Sequence, residues 1–435
     1  MKRLERYFEF ERLGASWRRE LLAGFTTFMT MAYIIFVNPS ILKETGMPLG
    51  AITAATCLAS AFGSILMGAY ARYPIALAPG MGLNAYFTYT VVKTMGVPWE
   101  VALGAVFLSG VIFFVLTLVG VRQLIVSSLP PELYAAVAVG IGLYIALIGF
   151  LKSGLIVPSA QTTVTMGNLH DPAVLLSLAG LLVTAALLAR RVPGAMIIGI
   201  LCATALGALA GLVNWQPRPV DFAALGGTFL KLDVSGALRL GLLEIVFAFL
   251  FVDMFDNLGT LVAVGKKAGL FTEANTIPRV DRILFSDASA TIAGSLLGTS
   301  TVVSYIESAA GVVAGGRTGV TAVTTGLLFL AALPLASVVG SIPACATAPA
   351  LILVGSWMMS HAAEIRWHDP VIAIPAFLTM TTIPLSFSIA NGLAFGFTSH
   401  TLLMMLSGKA RQVSWVVYVL TTLFVLRFVY LGAGA

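Results

Sequence analysis

Long apolar segments recur along almost the whole of this chain, and they restrict its fold more than any other feature. Of its 435 residues, 58% are hydrophobic and only 10% are charged, whereas ordinary soluble domains have about 25% charged residues. So few charges cannot cover the surface that so much apolar sequence would expose to water. Because roughly 20 apolar residues cross a bilayer as a helix, residues 1–435 are predicted to form one all-α polytopic domain in a lipid membrane.

The apolar segments number fifteen and differ in length. They are approximately residues 20–37, 51–70, 74–94, 100–121, 133–151, 172–189, 194–214, 240–264, 285–298, 301–316, 319–340, 344–361, 370–386, 389–407 and 414–431. Two of them, 285–298 and 301–316, are too short to cross a bilayer as straight helices. The last segment carries Arg427, and it is interpreted as either an additional C-terminal span or a helix along the membrane interface.

The distribution of basic residues predicts how the chain is oriented. If fourteen segments cross and the N-terminus is cytoplasmic, eighteen Lys and Arg residues lie on the cytoplasmic side and six on the outer side. Cytoplasmic loops carry such an excess, so we expect a multi-pass protein of the cell inner (plasma) membrane with a cytoplasmic N-terminus. The same distribution explains the net charge of +6 without any binding of nucleic acid.

Two interrupted segments occupy corresponding places in the two halves of the chain. The third span is broken by Gly and Pro at 78–84 (APGMGLN), and the tenth by Gly, Ser and Thr at 298–304 (GTSTVVS). Because each half would contain an odd number of spans, seven, the two copies would be inverted in the membrane. Irregular backbone is tolerated at membrane depth where it lines a cavity. The broken third and tenth spans therefore predict a binding site near the midplane.

Two carboxylates, Asp253 and Asp256, lie inside an otherwise apolar segment, FLFVDMFDNLGT (249–260). A charged aspartate at the centre of a bilayer costs about 2.5 to 3.5 kcal/mol on insertion scales, so it normally faces a partner or a cavity. On a helix, Asp253, Asp256 and Thr260 share one face. Each aspartate could instead pair with a neighbouring helix, and this alternative is stronger for Asp253. We therefore predict that Asp256 contacts a ligand and that Asp253 braces the site.

A third carboxylate, Glu307, follows the break in the second half, within SYIESAAG (304–311). A half-helix that begins there would direct backbone N–H groups and the positive end of its dipole into the cavity. Ser308 and the small residues after it leave room for a ligand, although Glu307 could instead be capped by nearby amides. Two carboxylates that face one cavity favour the binding of a proton, so Asp256 and Glu307 are candidate proton carriers. Asp287 is expected to brace the site electrostatically.

The break in the first half offers polar and aromatic groups. A proline followed by glycines at i and i+2 predicts an extended segment before a helix, with Asn84 as a donor and acceptor at its start. Tyr86 is a candidate for stacking on an aromatic ligand. A glycine-rich phosphate loop is disfavoured because no lysine follows. Thr26, Thr27 and Thr30 of the first span either line the cavity or hydrogen-bond to their own helix.

No residue pattern predicts a metal site, a cofactor or a catalytic group. The four histidines and the three cysteines, Cys57, Cys202 and Cys345, lack the spacing of metal ligands. The cysteines lie within apolar segments and are interpreted as small packing residues. Nothing resembles a nucleophile triad, so the chain is not expected to be an enzyme.

Four motifs occur in order along the chain: AGFTTFMTMAYIIFVNP (23–39), APGMGLNAYF (78–87), DMFDNLGT (253–260) and ESAAGVVAGGRTG (307–319). Together they closely resemble the AzgA-like purine permeases of the nucleobase:cation symporter-2 family, and the resemblance extends over nearly the whole chain. It implies a seven-plus-seven inverted repeat. In that arrangement, the core domain comprises residues 20–121 and 240–340, and the gate domain comprises residues 133–214 and 344–407.

The resemblance also implies site residues, position by position. Asp256 stands where the family has a substrate-binding carboxylate. Glu307 or Ser308 falls at its tenth-span carboxylate position. Asn84 and Ala85 match its third-span substrate segment.

Two further positions complete the comparison with the family. Asp287 matches its ninth-span acid, whereas Thr260 departs from it by occupying a position that is acidic in the xanthine branch. The residues and the resemblance together yield two sets of candidates. The substrate-binding set is Asp256, Glu307, Asn84, Ala85, Ser308, Thr260, Thr27 and Tyr86, and the set of proton-coupling or structural acids is Asp256, Glu307, Asp287 and Asp253.

The function that the resemblance implies is import of the purine nucleobases adenine, guanine or hypoxanthine by proton symport, with alternating access between core and gate, in a homodimer. Sodium is the alternative coupling ion. Two other classes remain open. An anion transporter of related fold would be expected to present a positive site, which the paired acids disfavour. An intramembrane enzyme such as a prenyltransferase would need two acid-rich motifs to hold magnesium, and the chain has one Asp-x-x-Asp.

Overall fold

The structure, a computed structural model, is mainly helical. It describes residues 2–120, 130–213, 215, 226–239, 243–268 and 277–430, except for the side chains of residues 243–244, 255–256, 258–259, 262–263, 266–268, 336 and 427–430.

The first half of the chain contains ten helices and three short strands among the described residues. They are α1 (Lys2–Tyr7), α2 (Phe10–Leu13), α3 (Trp17–Met31), α4 (Ile34–Leu42) with a 3-10 turn (Lys43–Thr45), α5 (Leu49–Leu66) with a π-helical end (Met67–Ala71), β1 (Leu77–Pro79), α6 (Met81–Ala85) with a π-helical continuation (Tyr86–Thr94), α7 (Trp99–Leu118), α8 (Pro131–Ser153), β2 (Ile156–Ser159), β3 (Thr163–Met166), α9 (Pro172–Ala189) and α10 (Ala195–Leu209).

The second half contains one short strand among its described helices. Its described elements are α11 (Val234–Ala237), α12 (Leu243–Ala268), α13 (Val280–Leu297), β4 (Val302–Ser304), α14 (Ser308–Val313), α15 (Gly319–Ala331), a 3-10 turn (Leu333–Leu335), α16 (Ala336–Val339), α17 (Ala344–Met358) with a 3-10 end (Met359–Glu364), α18 (Pro370–Leu385), α19 (Ile389–Leu406), a 3-10 turn (Ala410–Gln412) and α20 (Trp415–Tyr430).

Many of these helices are apolar and long. Among the described residues, six are long and apolar enough to cross a membrane: Trp17–Thr45, Leu49–Ala71, Trp99–Leu118, Pro131–Ser153, Pro172–Ala189 and Ile389–Leu406. A seventh candidate joins Gly319–Ala331 and Leu333–Val339 across a bend of 40°. Further apolar helices are shorter. A polytopic architecture is thus evident, while the number of fourteen spans stays a prediction.

Two features differ from the sequence-based expectation. The fold is not purely α-helical, because β1 pairs with β4 and β2 pairs with β3 in two antiparallel two-stranded sheets. The ninth segment is also longer than the predicted 285–298, since α13 begins at Val280. Its first turn contains Asp281 and Arg282, and a search for apolar residues does not detect such a polar helix start.

The strand pair β1–β4 joins the two broken segments. Leu77 lies opposite Ser304, and Pro79 lies opposite Val302. Each strand leads into a helix, α6 after β1 and α14 after β4. The predicted extended segment before a helix at 78–84 is therefore confirmed, as is the half-helix that follows Glu307.

Both strands are held in the same way by a hydroxyl group from a neighbouring helix. Ser64 Oγ of α5 accepts from Leu77 N at 2.9 Å and donates to Leu77 O at 3.0 Å. Thr291 Oγ1 of α13 accepts from Val302 N at 3.2 Å and donates to Val302 O at 3.0 Å. In each half, the helix that precedes the strand satisfies both backbone groups of one strand residue. This correspondence supports the predicted inverted repeat, which remains a prediction.

The C-terminal helix α20 packs on the rest of the molecule through Phe424. The Phe424 ring stacks on Phe397 of α19 with centroids 5.7 Å apart, and it meets Phe247 of α12 edge-on at 5.4 Å. Phe424 is almost fully buried. Helix α20 is thus packed against two long helices. Its assignment as an additional span or as an interfacial helix stays a prediction.

Helices α5 and α15 meet with almost no space between their backbones. A Cβ atom placed on Gly319 would lie 1.9 Å from the carbonyl oxygen of Gly68, and one placed on Gly68 would lie 2.3 Å from that of Gly319. Small residues at such crossings allow helices to pack closely in a membrane. The two glycines therefore determine how near the helices lie.

Gly319→Ala is expected to destabilise the protein by about 2 kcal/mol, because overpacking of a close contact typically costs 1–3 kcal/mol. Thermal melting of the detergent-purified protein measures this effect. Gly226→Ala is the matched control, since a Cβ at Gly226 meets no atom of a described residue within 4 Å. Equal melting temperatures for the two variants would contradict the prediction.

Candidate functional site

A cavity of about 100 Å³ lies beside the paired strands. One wall comes from the breaks, with Gly80 and Gly82 after β1 and residues 303–307 in and after β4. The opposite wall comes from α8 and from α17 with its 3-10 end. The cavity therefore lies between the predicted core segments and the predicted gate segments.

Glu307 brings a carboxylate to this cavity. It directly precedes α14 and is half-buried. Its Oε1 accepts a hydrogen bond of 2.7 Å from the hydroxyl of Tyr33, which lies between α3 and α4. Both residues line the cavity. The Tyr33 hydroxyl thus fixes the position of the Glu307 carboxylate.

Ser304 and Thr260 add hydroxyl groups to the lining. Ser304 Oγ is buried and has no hydrogen-bond partner among the described residues. A buried hydroxyl without a partner is unfavourable unless a ligand or water satisfies it. Ser304 therefore offers a hydrogen-bonding group to a bound molecule.

Asn257 of α12 links the strand to two buried aspartates. Its Oδ1 accepts from Ser304 N at 2.9 Å, and its Nδ2 donates to Asp253 Oδ1 at 2.8 Å and to Asp287 Oδ2 at 2.6 Å. Asp253 and Asp287 are each 1% exposed. This network holds β4 in place from behind, and neither aspartate lines the cavity.

Asn84 lies in a second polar cluster. Its Nδ2 donates to Asn38 Oδ1 at 2.5 Å, and Asn38 Nδ2 in turn donates to Thr56 at 2.8 Å and Thr299 at 3.1 Å. Asn84 Oδ1 is buried without a hydrogen-bond partner among the described residues. Asn84 and Ala85 are buried, and the cavity lining does not include them.

Three other candidate residues lie behind the broken segments. Ser308 Oγ accepts from Ala76 N at 3.0 Å, so it connects α14 to the residue before β1. Thr27 is buried and lies against Gly311, where a Cβ would come within 2.0 Å of Thr27 Oγ1. Tyr86 packs edge-on against Phe249, with ring centroids 5.2 Å apart. Ser308, Thr27 and Tyr86 are absent from the described cavity lining.

The hydroxyls of Thr26 and Thr30 hydrogen-bond to carbonyl oxygens of their own helix, Thr26 to Leu22 at 2.8 Å and Thr30 to Thr27 at 2.8 Å. For Thr26 and Thr30, the structure therefore supports hydrogen bonding to their own helix and not lining of the cavity. The side chain of Asp256 lies outside the described residues. Its backbone belongs to α12, four residues before Thr260.

Several lining residues were missed by the sequence reasoning. Tyr134, Trp357 and His361 come from the gate side, and Tyr305 directly follows β4. The Tyr305 hydroxyl donates to Pro79 O at 2.5 Å and thereby ties the two strands together. Tyr33 lies in the motif at 23–39, and Tyr305 lies in the motif at 304–311. Their positions in these motifs could have indicated that they line the site. Nothing in the local sequence marks Tyr134 or Trp357.

The chemistry of this site is that of reversible binding. Its described residues supply the Glu307 carboxylate, several hydroxyl groups and aromatic rings to a small, partly apolar cavity between broken helices. Among the described residues, no group of His, Cys, Asp and Glu could hold a metal ion. Broken helices that meet at a cavity between two sets of spans define a membrane transporter.

Comparison with known proteins shows to which family of transporters this chain belongs. The model of the permease family (Xan_ur_permease) matches residues 18–395. The chain belongs to this family, and it is therefore a multi-pass membrane permease and not an enzyme.

Curated relatives match over almost their full length. A permease of Methanocaldococcus jannaschii, MJ0326, is 53% identical over 99% of this chain and 99% of its own. The guanine/hypoxanthine permease PbuG of Bacillus subtilis is 44% identical over 98% of this chain and 100% of its own. The adenine permease AdeP of Escherichia coli K12 is 42% identical over 99% and 97%.

A solved structure supports the fold. The transmembrane domain of the cyanobacterial bicarbonate transporter BicA superposes with a TM-score of 0.64, covering 87% of this chain and 96% of that domain. The sequence identity is 15%, so this likeness concerns the fold alone.

Proposed function

We propose that this permease imports purine nucleobases, adenine, guanine or hypoxanthine, across the cell inner membrane. The observation that carries the proposal is the cavity beside the strand pair, where the Glu307 carboxylate lies among hydroxyl groups and aromatic rings. Full-length relatives named adenine permease and guanine/hypoxanthine permease support the same substrate class. Purines are flat aromatic molecules with N–H donors and ring-nitrogen acceptors, which such a site complements.

In the proposed complex, a purine N–H group donates to the Glu307 carboxylate. Ser304 Oγ, which has no partner among the described residues, hydrogen-bonds to a ring nitrogen or a carbonyl oxygen of the purine. Trp357 or Tyr134 stacks on the ring from the gate side. Asp256 remains a proposed second carboxylate, because residues four apart share a helix face and Thr260 lines the cavity.

We propose a proton as the coupling ion. Glu307 is a half-buried carboxylate whose protonation would change its hydrogen bonding to both Tyr33 and the substrate. Asp253 and Asp287 share the amide of Asn257 and brace β4. In this proposal, Glu307 carries the proton at the cavity, whereas Asp253 and Asp287 support β4.

Transport would proceed by movement of the core segments against the gate segments. An ion-pair cluster connects the core segments to the gate segments at the predicted outer end. Lys152 Nζ at the end of α8 lies 2.7 Å from Glu44 Oε1 and donates to Ser40 O at 2.8 Å. Lys93 Nζ lies 2.6 Å from Glu44 Oε2. We propose that the contact between Lys152 and Glu44 holds the outer end closed.

Lys152→Met is expected to shift the equilibrium toward the outward-open state about fivefold, because a partly exposed ion pair contributes on the order of 1 kcal/mol. In a background without native cysteines, Ala138→Cys, which lines the cavity, would report the shift as faster labelling by an impermeant thiol reagent added outside. Lys231→Met, at an exposed lysine outside this cluster, is the control. Unchanged labelling in Lys152→Met would contradict the proposed latch.

Uptake of radiolabelled adenine, guanine and hypoxanthine in a host that lacks purine transport tests the proposed function. Uptake of at least one purine, faster at acidic outside pH and abolished by a protonophore, is the expected result. Bicarbonate uptake serves as the control for anion transport. Absence of uptake of all three purines, with the protein present in the membrane, would refute the proposal.

A further inference from the structure

A second cavity lies apart from the candidate site and shares none of its lining residues. It has a volume of about 560 Å³. Its walls are the N-terminal end of α8, the start of α18, the C-terminal part of α19 and the segment that leads into α20. The proposed transport mechanism makes no use of it.

Three basic side chains contribute to the polar lining of this second cavity. They are Arg366, Lys409 and Arg411. Arg366 pairs with Glu132, whose Oε1 lies 2.6 Å from both Nε and Nη2 of the guanidinium group. Lys409 and Arg411 are exposed and form no ion pair with any described residue.

The two acidic residues of the lining are already engaged. Glu132 is neutralised by Arg366. Asp369 precedes α18, and its Oδ1 accepts from Val371 N at 3.1 Å, which caps the helix. Asp369 keeps its charge, so three basic and two acidic side chains (3 − 2) give the described lining a net charge of +1.

A buried histidine marks the inner part of the cavity. His400 is 6% exposed, lines the cavity and has no hydrogen bond to any described residue. It lies six residues before the last residue of α19, about 9 Å along the helix axis at 1.5 Å per residue. A buried imidazole without a partner indicates a group that a ligand could satisfy.

We propose that this cavity binds a phosphate-bearing anion. Lys409 and Arg411 contact the phosphate oxygens, since ammonium and guanidinium groups form strong charge-assisted hydrogen bonds with phosphate. His400 hydrogen-bonds to a polar group deeper inside, and Leu133 and Met404 supply apolar walls for the remainder. Basic pockets between spans on the cytoplasmic side, where the charge distribution places these residues, suit anionic headgroups. A phospholipid headgroup and a free phosphate ion share this chemistry.

Thermal melting of the full-length purified protein tests the proposal with two probes. The first is inorganic phosphate in detergent, at an ionic strength held constant with chloride. The second is phosphatidylglycerol in nanodiscs, compared with phosphatidylcholine. We expect a higher melting temperature with at least one probe. A response to inorganic phosphate identifies a solute site, and a response to phosphatidylglycerol alone identifies a headgroup site.

The double variant Lys409→Gln with Arg411→Gln should bind the active probe about fivefold more weakly, given the usual contribution of exposed charges. Both side chains are exposed, so its melting temperature without a probe should equal that of the wild type. Arg190→Gln with Arg191→Gln removes the same charge from exposed positions outside the cavity and should keep the full response. No response of the wild type to either probe, or an equal loss in both double variants, would overturn the proposal.

Discussion

Glu307→Gln is expected to lower purine uptake by roughly 10- to 100-fold, because a hydrogen bond to a charged group contributes about 1.5 to 3 kcal/mol. Glutamine keeps the size of the side chain but removes the negative charge that receives the purine N–H. It also replaces the carboxylate that Tyr33 holds at 2.7 Å. Initial rates of radiolabelled uptake, normalised to the amount of protein in the membrane, measure the effect.

Two further variants test whether the loss of purine uptake arises from a change in the cavity. Tyr33→Phe removes the hydroxyl that positions Glu307, so it should reduce uptake by about tenfold or less, as expected for one hydrogen bond. Glu11→Gln is the same chemical change at an exposed position and should leave uptake unchanged. Wild-type uptake in Glu307→Gln would exclude Glu307 as a substrate-binding residue.

Asn257→Leu is expected to destabilise the protein by about 2 kcal/mol and to abolish transport. The Asn257 side chain takes part in four hydrogen bonds, of which two stay within α12 and two join it to Asp287 and to the Ser304 amide. Leaving such buried partners unsatisfied costs about 1 to 3 kcal/mol. Leucine fills a similar volume but leaves the Ser304 amide and two carboxylates without this partner. Since β4 lines the cavity, loss of its support should also displace the site.

Asn391→Leu is the matched control, since it makes the same replacement on α19 at a half-buried position whose side chain has no hydrogen bond to a described residue. Melting curves and size-exclusion profiles of the two variants provide the comparison. Equal stability of Asn257→Leu and the wild type would show that the network does not support β4.

The second cavity adds a distinct feature to the molecule. It joins the ends of α8, α18 and α19, which belong to the predicted gate. A bound anion there would hold the ends of these helices together without contact with the transported solute.

Much of the architecture could be predicted from sequence. Apolar segments defined the helices, since each span must bury its backbone polar groups internally and present an apolar surface to lipid. Gly and Pro at 78–84 and Gly, Ser and Thr at 298–304 predicted the two breaks. The extended segment at the first break followed from local preferences, whereas the strand at the second break was not predicted. The family followed from motifs that contain these breaks and the acids near them.

The contents of the site were less predictable. Glu307 and Thr260 line the cavity, whereas Asn84, Ser308, Thr27 and Tyr86 are buried behind it. A polar residue near a break can face either the cavity or a neighbouring helix, and local sequence does not distinguish these directions. Asn84 faces Asn38, which is 46 residues away in the chain.

The sequence alone determined the class of the protein, the positions of the broken segments and the acids that must be accommodated, because hydropathy and backbone preferences are local properties. Tertiary structure decided which groups meet. The pairing of β1 with β4, the contact of Tyr33 with Glu307 across 274 residues and the aromatic wall from α8 and α17 depend on how distant segments pack. Such contacts arise from the complementary shapes and hydrogen bonds of whole helices, which no single segment encodes.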